Sequence, residues 1–350
     1  MQDVDYWTLF SAEATRIGSP LYGMLALKIR SDEKLRGIAA HAKPGQPQAN
    51  LILAAVHYLL WSGKAHALAE HYPSLKPEAA PTTDAFSLFR DFCLQHEAEV
   101  TKLVSVRITN TNEVARSTSL YPAFDYIAQQ SGEALHMVEM GPSAGFNLNW
   151  NHYAYTYTRN GETILQRAPS NALLTLNAEL RGDKAPLLAA AMPTVASKVG
   201  LELNPVNLES SEDRLWLKAL IFPELTPRFA RLEGAIETAI AHPTSIKFGN
   251  ALELLTPTVE DLPQNGVPVI YHSFVTYQFS TAMREQLQNT LLDLSKSRPL
   301  YRVAIEWELN EHPVTVSRYE NGSVTSVVLA DCNPHGAWLE WRDHAKAAAK

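Results

Sequence analysis

The chain has 350 residues, of which 46% are hydrophobic and 19% charged, and its formal net charge at pH 7 is −7. Such a composition is that of a globular protein with a sizeable core, and the length predicts more than one structural unit. The acidic balance and the lack of a basic run exclude the usual electrostatic signature of nucleic-acid binding, so we expect no nucleic-acid partner.

Three features of the sequence predict a cytoplasmic protein. The two cysteines, Cys93 and Cys332, lie far apart, which favours reduced thiols over a disulfide framework. The first residues, MQDVDYWTLF, lack the basic region and apolar run of a signal peptide. No apolar stretch approaches the ~20 residues that span a bilayer, so we expect no membrane partner.

Residues 1–130 are predicted to be a helical region. Apolar residues recur at helical spacing between Tyr6 and Ile17, and the uncharged segment from Ala49 to Leu60 is typical of a buried helix. A further helix is predicted to start at Asp84. No convincing alternation of apolar and polar residues indicates a strand in this half of the chain.

The pattern changes at Ala134, where a short apolar run ends at a glycine and predicts a buried parallel strand. Four later segments also have the character of strands, and helical patterns separate them: Lys198–Leu203, Ser245–Phe248, Val267–Tyr271 and Tyr301–Ile305. Strand–helix alternation predicts a parallel sheet. The fold class predicted for residues 131–350 is therefore α/β, with a Rossmann-like, mostly parallel sheet.

Two segments of this region are predicted to depart from strand–helix alternation. Alternating residues around Asn160-Gly161 predict a β-hairpin over 151 to about 166, within an insertion of about 151–195. Near the end of the chain, three short strands with a turn at Asn321-Gly322 predict an antiparallel edge to the sheet.

The most informative motif is EMGPSAGFN, Glu139 to Asn147, directly after the first predicted strand. Gly141 and Gly145 flank Ser143 in this loop. A glycine-rich turn after a strand lets backbone N–H groups approach a ligand that side chains would otherwise keep away. The spacing is close to the G-x-G-x-G turn of class I methyltransferases, with serine in place of the middle glycine.

Polar residues also follow the next three predicted strands. Glu202 ends the second strand, where a carboxylate can accept hydrogen bonds from both ribose hydroxyls of a nucleotide. Asn250 follows the third strand and His272 ends the fourth. The carboxyl ends of parallel strands meet at one edge of a sheet, so these residues are predicted to share one crevice with the glycine loop.

Several segments, taken in order, resemble an uncharacterised bacterial family, domain of unknown function 2332. The resemblance spans essentially the whole chain and rests on VSVRITNTNEVARS, VEMGPSAGFNLNW, LELNPVNL with EDRLWLKALIFPE, GNALELL, VIYHSFVTY and NPHGAWLEW. The family core resembles a class I methyltransferase, which implies S-adenosylmethionine as cofactor and a small-molecule methyl acceptor. The cofactor-binding residues implied are Glu139, Gly141, Ser143, Gly145, Asn147, Glu202 and Asn250.

A second candidate site lies in the segment Arg107–Arg116, where Asn110, Asn112, Glu113 and Arg116 are crowded together. One interpretation is that Asn112 or Thr111 caps a helix that starts near Glu113. The other is that the segment grips cofactor or substrate.

In the methyltransferase hypothesis, the acceptor is oriented by His272 or Glu113 and bound by Asn110, Asn112 and Arg116. The sequence gives no indication of the acceptor's identity or of the oligomeric state.

Two other functions remain open on the sequence. Residues 141–145 also spell the G-x-S-x-G elbow of serine hydrolases, and Ser143, Asp331 and His335 occur in the triad order of that class. However, the helical pattern before the elbow is not that of an α/β-hydrolase. The second alternative is a non-catalytic scaffold that keeps the fold. We expect no metal, because Asp331, Cys332 and His335 lack a second ligand pair at short spacing.

Overall fold

The computed structural model describes residues 5–79, 85–109, 113–309 and 311–342. The chain divides into two compact units, one made of Met1–Thr111 with Asn207–Leu232 and the other of Asn112–Val206 with Glu233–Lys350. In the ranges that the structure describes, no helix is both long enough and apolar enough to cross a membrane.

The described residues contain eleven α-helices: α1 (Tyr6–Arg16), α2 (Pro20–Arg30), α3 (Glu33–Ala39), α4 (Gln48–Trp61), α5 (Ala85–Gln95), α6 (Glu97–Val106), α7 (Ser117–Ser131), α8 (Ser211–Ala219), α9 (Pro227–Ala241), α10 (Ala251–Glu260) and α11 (Thr281–Leu294). They also contain eleven strands: β1 (Leu135–Met140), β2 (Ala154–Arg159), β3 (Glu162–Arg167), β4 (Thr175–Arg181), β5 (Val195–Glu202), β6 (Ser245–Phe248), β7 (Val267–Ser273), β8 (Leu300–Ile305), β9 (Pro313–Glu320), β10 (Ser323–Cys332) and β11 (Trp338–Trp341). The predicted helix start at Asp84 lies outside the described residues.

The first unit is helical and has its own hydrophobic core around α4, which is apolar on every side. α8 belongs to this core although it lies more than 100 residues further along the chain. The Trp216 indole is buried there and its Nε1 donates to the Ile108 carbonyl at 2.8 Å. The Glu224 carboxylate accepts from Ser19 Oγ at 2.5 Å and from the Leu21 N–H at 2.7 Å, at the start of α2. Residues 207–232 are thus an integral part of the helical unit.

The second unit is built on one eleven-stranded sheet in the order β3-β2-β4-β11-β10-β9-β8-β7-β1-β5-β6. Six of its ten neighbouring strand pairs are parallel. The structure therefore confirms a mixed α/β protein with a large, mostly parallel sheet. Five consecutive strands, β8-β7-β1-β5-β6, are all parallel to one another, and the chain runs outwards from β1 in both directions.

The two faces of this parallel region are covered differently. Val138 and Met140 of β1 pack with α10 and α11 in one apolar cluster. Successive side chains of a strand point to opposite faces, so Glu139 lies on the other face. That face carries α7 and a set of buried aromatic rings, among which Phe124 contacts Tyr271 at 4.9 Å between ring centroids. α7, the last helix of the region 1–130, belongs to this second unit.

The connection from β1 to β5, which the structure describes throughout, contains no α-helix. A short 3-10 helix, Phe146–His152, follows the glycine loop, and the chain then forms β2, β3 and β4 at the far side of the sheet. β2 and β3 pair antiparallel around the turn predicted at Asn160-Gly161. The C-terminal strands β9 to β11 are antiparallel, but the prediction that they form the edge is wrong, because β11 pairs with β4 and the sheet continues.

Candidate functional site

The candidate site lies at the carboxyl ends of the five parallel strands. β1 is the central strand of this group, with β5 on one side and β7 on the other, so the direction of chain progression reverses beside it. In open α/β sheets such a reversal leaves a crevice outside the carboxyl ends of the strands, where ligands bind. The loops after β1 and β7 therefore meet where a ligand is expected.

The glycine loop after β1 has backbone angles that explain its composition. Gly141 and Gly145 have φ of +68° and +76°, in the left-handed region that favours glycine. A Cβ on Gly141 would lie 2.9 Å from Val275 Cγ2 in the loop after β7. Ser143 also has a positive φ, +56°, which is uncommon for a residue with a side chain. The two glycines therefore permit a tight loop packed against its neighbour.

Glu202, at the end of β5, contacts this loop directly. Its Oε2 accepts the Ser143 N–H at 2.7 Å, and its Oε1 accepts the Asn204 N–H at 2.9 Å. The structure thus brings together two groups that the sequence predicts to share a site. A carboxylate oxygen has two lone pairs, so each oxygen of Glu202 retains capacity for one more donor.

Glu139 is buried on the α7 face of β1, with 3% of its surface exposed. Its Oε2 accepts from the Tyr271 hydroxyl at 3.1 Å, and its carboxyl group is also bonded to the Asn147 side chain. The Asn147 Oδ1 in turn accepts from Ser117 Oγ at 2.8 Å. Burial is the main reason that the pKa of Glu139 is raised to about 8, and the charge of Glu202 adds to it. Glu139 and Asn147 therefore form a buried network beneath the glycine loop.

Arg116 joins two loops at the same edge. Its Nε donates to the Pro334 carbonyl at 2.9 Å, and its Nη1 lies 3.3 Å from Ser273 Oγ. The guanidinium also lies 4.5 Å from the centre of the Phe274 ring. These contacts tie the loop after β7 to the segment that follows β10.

The structure describes only some of the other residues of the predicted 107–116 site. Asn110 and Asn112 lie outside the described residues. Glu113 is buried, and its Oε1 accepts the Ala115 N–H at 3.2 Å, so its side chain caps the short helix before α7. Its Oε2 lies 3.9 Å from His335 Nδ1. A helix cap is thus present here, but Glu113 supplies it.

His272 is fully buried between two charged side chains. Its Nδ1 lies 2.6 Å from Glu306 Oε1, and Arg302 Nε donates to its Nε2 at 3.0 Å. An Nε2 that accepts and an Nδ1–H that donates define the neutral tautomer. Burial lowers the pKa of His272, which agrees with this neutral form. Both ring nitrogens are therefore already bonded to protein groups.

Glu306 is the site residue that sequence reasoning missed. Its carboxylate accepts the backbone N–H groups of Val275 and Thr276 at 2.9 Å each and of Tyr277 at 3.1 Å. Although burial opposes ionisation, the bond to His272 and these N–H groups bring its pKa down to about 2. Glu306 directly follows β8. The reasoning that selected residues at the ends of the other strands would have selected it too.

Asn250, which follows β6, caps α10. Its Oδ1 accepts the Leu252 N–H at 3.0 Å, and its Nδ2 donates to Glu253 Oε1 at 3.1 Å. The side chain is partly exposed at the carboxyl edge of the sheet. Its present partners are those of an ordinary N-cap residue.

Large apolar side chains are exposed along this edge. Leu203 and Phe248 are 58% and 74% exposed at the ends of β5 and β6, and Tyr277 and Trp307 are 51% and 50% exposed after β7 and β8. Single exposed apolar residues are common, but four of them after four of the five parallel strands indicate a surface for an apolar part of a ligand.

The three residues of the hydrolase hypothesis, all of them described, have separate surroundings. Ser143 Oγ is buried and has no hydrogen-bond partner among the described residues. Asp331 is bonded to Arg342, and His335 faces Glu113. In the same described ranges, no group of three or more His, Cys, Asp or Glu side chains is arranged to hold a metal ion.

The chain belongs to the family described as an uncharacterised protein conserved in bacteria, domain of unknown function 2332, whose family model matches residues 6–341. This match confirms the family that the sequence segments resemble. Comparisons with curated proteins and with solved structures found no significant match.

Proposed function

We propose that the second unit binds S-adenosylmethionine at the carboxyl edge of its sheet and transfers the methyl group to a small-molecule acceptor. The five parallel strands follow the Rossmann-like order third, second, first, fourth, fifth along the chain. The observation that carries the proposal is the direct contact of the glycine loop after the first strand with Glu202 after the second. In nucleotide-binding sheets, that pair of positions holds the ribose and its neighbouring groups.

Two features favour a sulfonium cofactor over a dinucleotide. A pyrophosphate is bound at the N-terminus of an α-helix that follows the glycine loop. Here the loop runs into a seven-residue 3-10 helix that is kinked at Asn149. In addition, the Glu202 carboxylate lies beside the loop, where its charge repels a phosphate and attracts a positively charged sulfonium.

The residues present fit S-adenosylmethionine. Glu202 retains the lone pairs needed to accept from ribose hydroxyls, and the glycines at 141 and 145 let the loop pack closely against Val275 and Ile246 beside it. The exposed Phe248 ring and Asn250 lie at the end of β6, on the side where the adenine base is expected. When bound, the cofactor supplies an activated methyl group that moves from sulfur to a nucleophile, which loses a proton to solvent or a base.

The chain's own residues then have to align the acceptor. In-line displacement depends mainly on alignment, and a base is needed only for weakly acidic nucleophiles. His272 therefore does not have to act as a base, and both of its ring nitrogens are already bonded to Glu306 and Arg302. Arg116 contacts Ser273 at the end of β7, and Glu113 faces His335 in the segment after β10. These are the polar groups that we assign to the acceptor side.

Calorimetric titration with S-adenosylmethionine and S-adenosylhomocysteine tests the proposal. We expect micromolar binding by the wild type and at least about tenfold weaker binding by Glu202→Gln, since a hydrogen bond to a charged group is lost. The amide oxygen of this variant can still accept the Ser143 N–H, so the loop keeps one of its anchors. The matched control is Glu285→Gln on the exposed surface of α11, which should bind as the wild type does.

The other functions correspond to different outcomes. Ser143→Ala should leave cofactor binding within about twofold, because only the Ser143 backbone N–H contacts Glu202. Esterase activity that disappears in Ser143→Ala would instead identify a serine hydrolase. No heat and no thermal shift with either adenosyl ligand would exclude the methyltransferase, and a specific protein partner in a pull-down would then favour the scaffold.

A further inference from the structure

A group of three basic side chains, Lys198, His152 and His242, lies outside the crevice just described. Lys198 is on β5 and shares a face of the strand with Gly200 and Glu202. Pro142 covers Gly200 so closely that a Cβ there would lie 2.6 Å from Pro142 Cγ. The glycine loop therefore separates Lys198 from Glu202, and the basic group lies behind it, under the 3-10 helix Phe146–His152.

Lys198 is a half-buried ammonium that lacks a counter-ion among the described residues. Its Nζ donates to Asn149 Oδ1 at 2.8 Å. Within the described ranges no carboxylate forms an ion pair with it, and burial alone lowers its pKa to about 8. Partly buried charges are normally paired, because desolvation is otherwise uncompensated.

Two histidine side chains, His152 and His242, lie beside this ammonium. Their rings stack with centroids 3.6 Å apart and planes within 6° of parallel. Burial and the nearby charges of Lys198 and His242 lower the pKa of His152 to about 4. Like Lys198, neither ring forms an ion pair with a described carboxylate. Three basic groups are thus held together with no described acid among them.

The side-chain amide of Asn149, which is bonded to Lys198, has a buried N–H donor that lacks an acceptor among the described residues. Asn149 is fully buried, and its Nδ2 has no hydrogen-bond partner among the described residues, although its Oδ1 is held by Lys198. Thr244 precedes β6 and lies level with Lys198, since Val199 pairs with Ser245 in the parallel register. An unsatisfied buried donor next to an unpaired ammonium indicates a missing acceptor.

We propose that Lys198, His152, His242 and Asn149 Nδ2 form a binding site for a small dianionic oxyanion, such as a sulfate or phosphate group. Such a ligand supplies only acceptors and negative charge, which are what these groups lack. The site is distinct from the proposed cofactor site and does not depend on it. A monocarboxylate offers half the charge and fewer acceptors, so it should bind more weakly.

Calorimetric titration with sodium sulfate at constant ionic strength tests this site. We expect saturable binding by the wild type, accompanied by shifts of the His152 and His242 ring resonances. Lys198→Gln keeps a donor for Asn149 Oδ1 but removes the charge, and should weaken sulfate binding at least about tenfold. Lys198→Arg should retain binding within a few fold, and Lys296→Met, which changes an exposed lysine on the same unit, should have no effect.

Three outcomes would overturn the proposal. They are the absence of saturable sulfate binding by the wild type, unchanged binding by Lys198→Gln, and tighter binding of acetate than of sulfate. Titrating Lys198→Gln with S-adenosylmethionine in parallel distinguishes the two sites. If the variant loses sulfate binding but retains cofactor binding, the two sites are independent. A far-ultraviolet circular dichroism spectrum and a thermal unfolding midpoint like those of the wild type show that the variant is folded.

Discussion

The environment of Glu139 differs strongly from that of a surface carboxyl group. It lies on the central strand, contacts Tyr271 and Asn147, and is nearly inaccessible to solvent. Burial favours the protonated form, and the pKa of Glu139 is accordingly raised from 4.5 to about 8. Near neutral pH this carboxyl group is therefore largely protonated and can donate a hydrogen bond at the floor of the glycine loop.

Glu139→Gln should change how stability depends on pH. The folded protein binds the Glu139 proton more tightly than the unfolded chain, so this group costs stability as pH rises from about 4.5 through 8. Between about pH 5 and about pH 8.5 the wild type should lose up to about 4 kcal/mol relative to the variant. Urea unfolding at the two pH values measures the difference. Parallel pH profiles for the two proteins would show that Glu139 does not titrate in this range.

Among the structural elements, the loop after β7 is held by a group from the next strand. The Glu306 carboxylate accepts from three successive backbone N–H groups, beginning at Val275, and from His272. Gly141 packs against Val275, so the position of this loop also affects the glycine loop. One carboxylate therefore organises two of the loops that form the crevice.

Glu306→Gln should destabilise the protein by about 2–3 kcal/mol near pH 7. The pKa of Glu306 is lowered to about 2, so its contribution is complete above about pH 4.5 and is lost as pH falls through 2. The difference between variant and wild type should accordingly shrink in acid. Urea unfolding at several pH values provides the test, with the exposed Glu308→Gln as a control expected within about 0.5 kcal/mol.

Strand β4 shows what a local sequence pattern can predict and what it cannot. Burial alternates along the whole of β4, and its sequence TLNAELR alternates in the same way, so this strand was detectable but not predicted. The pairing of β4 with β11 joins segments more than 150 residues apart. Alternation indicates a strand, but it does not indicate which other strand will be its neighbour.

At the scale of the whole molecule, the chain forms most of the helical unit, begins the sheet unit, and then returns to the helical unit at residues 207–232. Residues 207–232, which connect β5 to β6, complete the helical core with Trp216 and with an ion pair between Arg107 and Asp213 at 2.5 Å. The sequence suggests a crossover helix at this point, and α8 does occupy that place in the chain. Its apolar face, however, is buried in the helical unit.

Trp216→Ala should therefore unfold or destabilise the helical unit, by about 3–5 kcal/mol. The substitution leaves a large cavity and removes the donor to the Ile108 carbonyl. Trp216→Phe, which keeps an aromatic ring, should have a clearly smaller effect. Urea unfolding followed by far-ultraviolet circular dichroism measures both. A loss below about 1 kcal/mol for the alanine variant would contradict the assignment of α8 to this core.

Features that depend on neighbouring residues could be predicted from the amino-acid sequence alone. Strand–helix alternation specified the parallel strands, and Gly141 and Gly145 marked a loop whose left-handed backbone angles glycine tolerates best. The rule that parallel strands end at one edge was enough to predict that Glu202 would lie near this loop. The order of short motifs along the chain was enough to identify the family.

Which distant groups meet depends instead on the three-dimensional packing of the chain. Tyr271 bonds Glu139 across 132 positions, and Arg116 reaches the Pro334 carbonyl across 218. Neither contact leaves a periodic signal, because each depends on how loops from separate strands pack together. The same holds for His272, whose place at a strand end indicated a crevice but whose side chain is enclosed by Glu306 and Arg302. Burial and hydrogen-bond partners are set by the packing of the whole sheet, and no short segment encodes them.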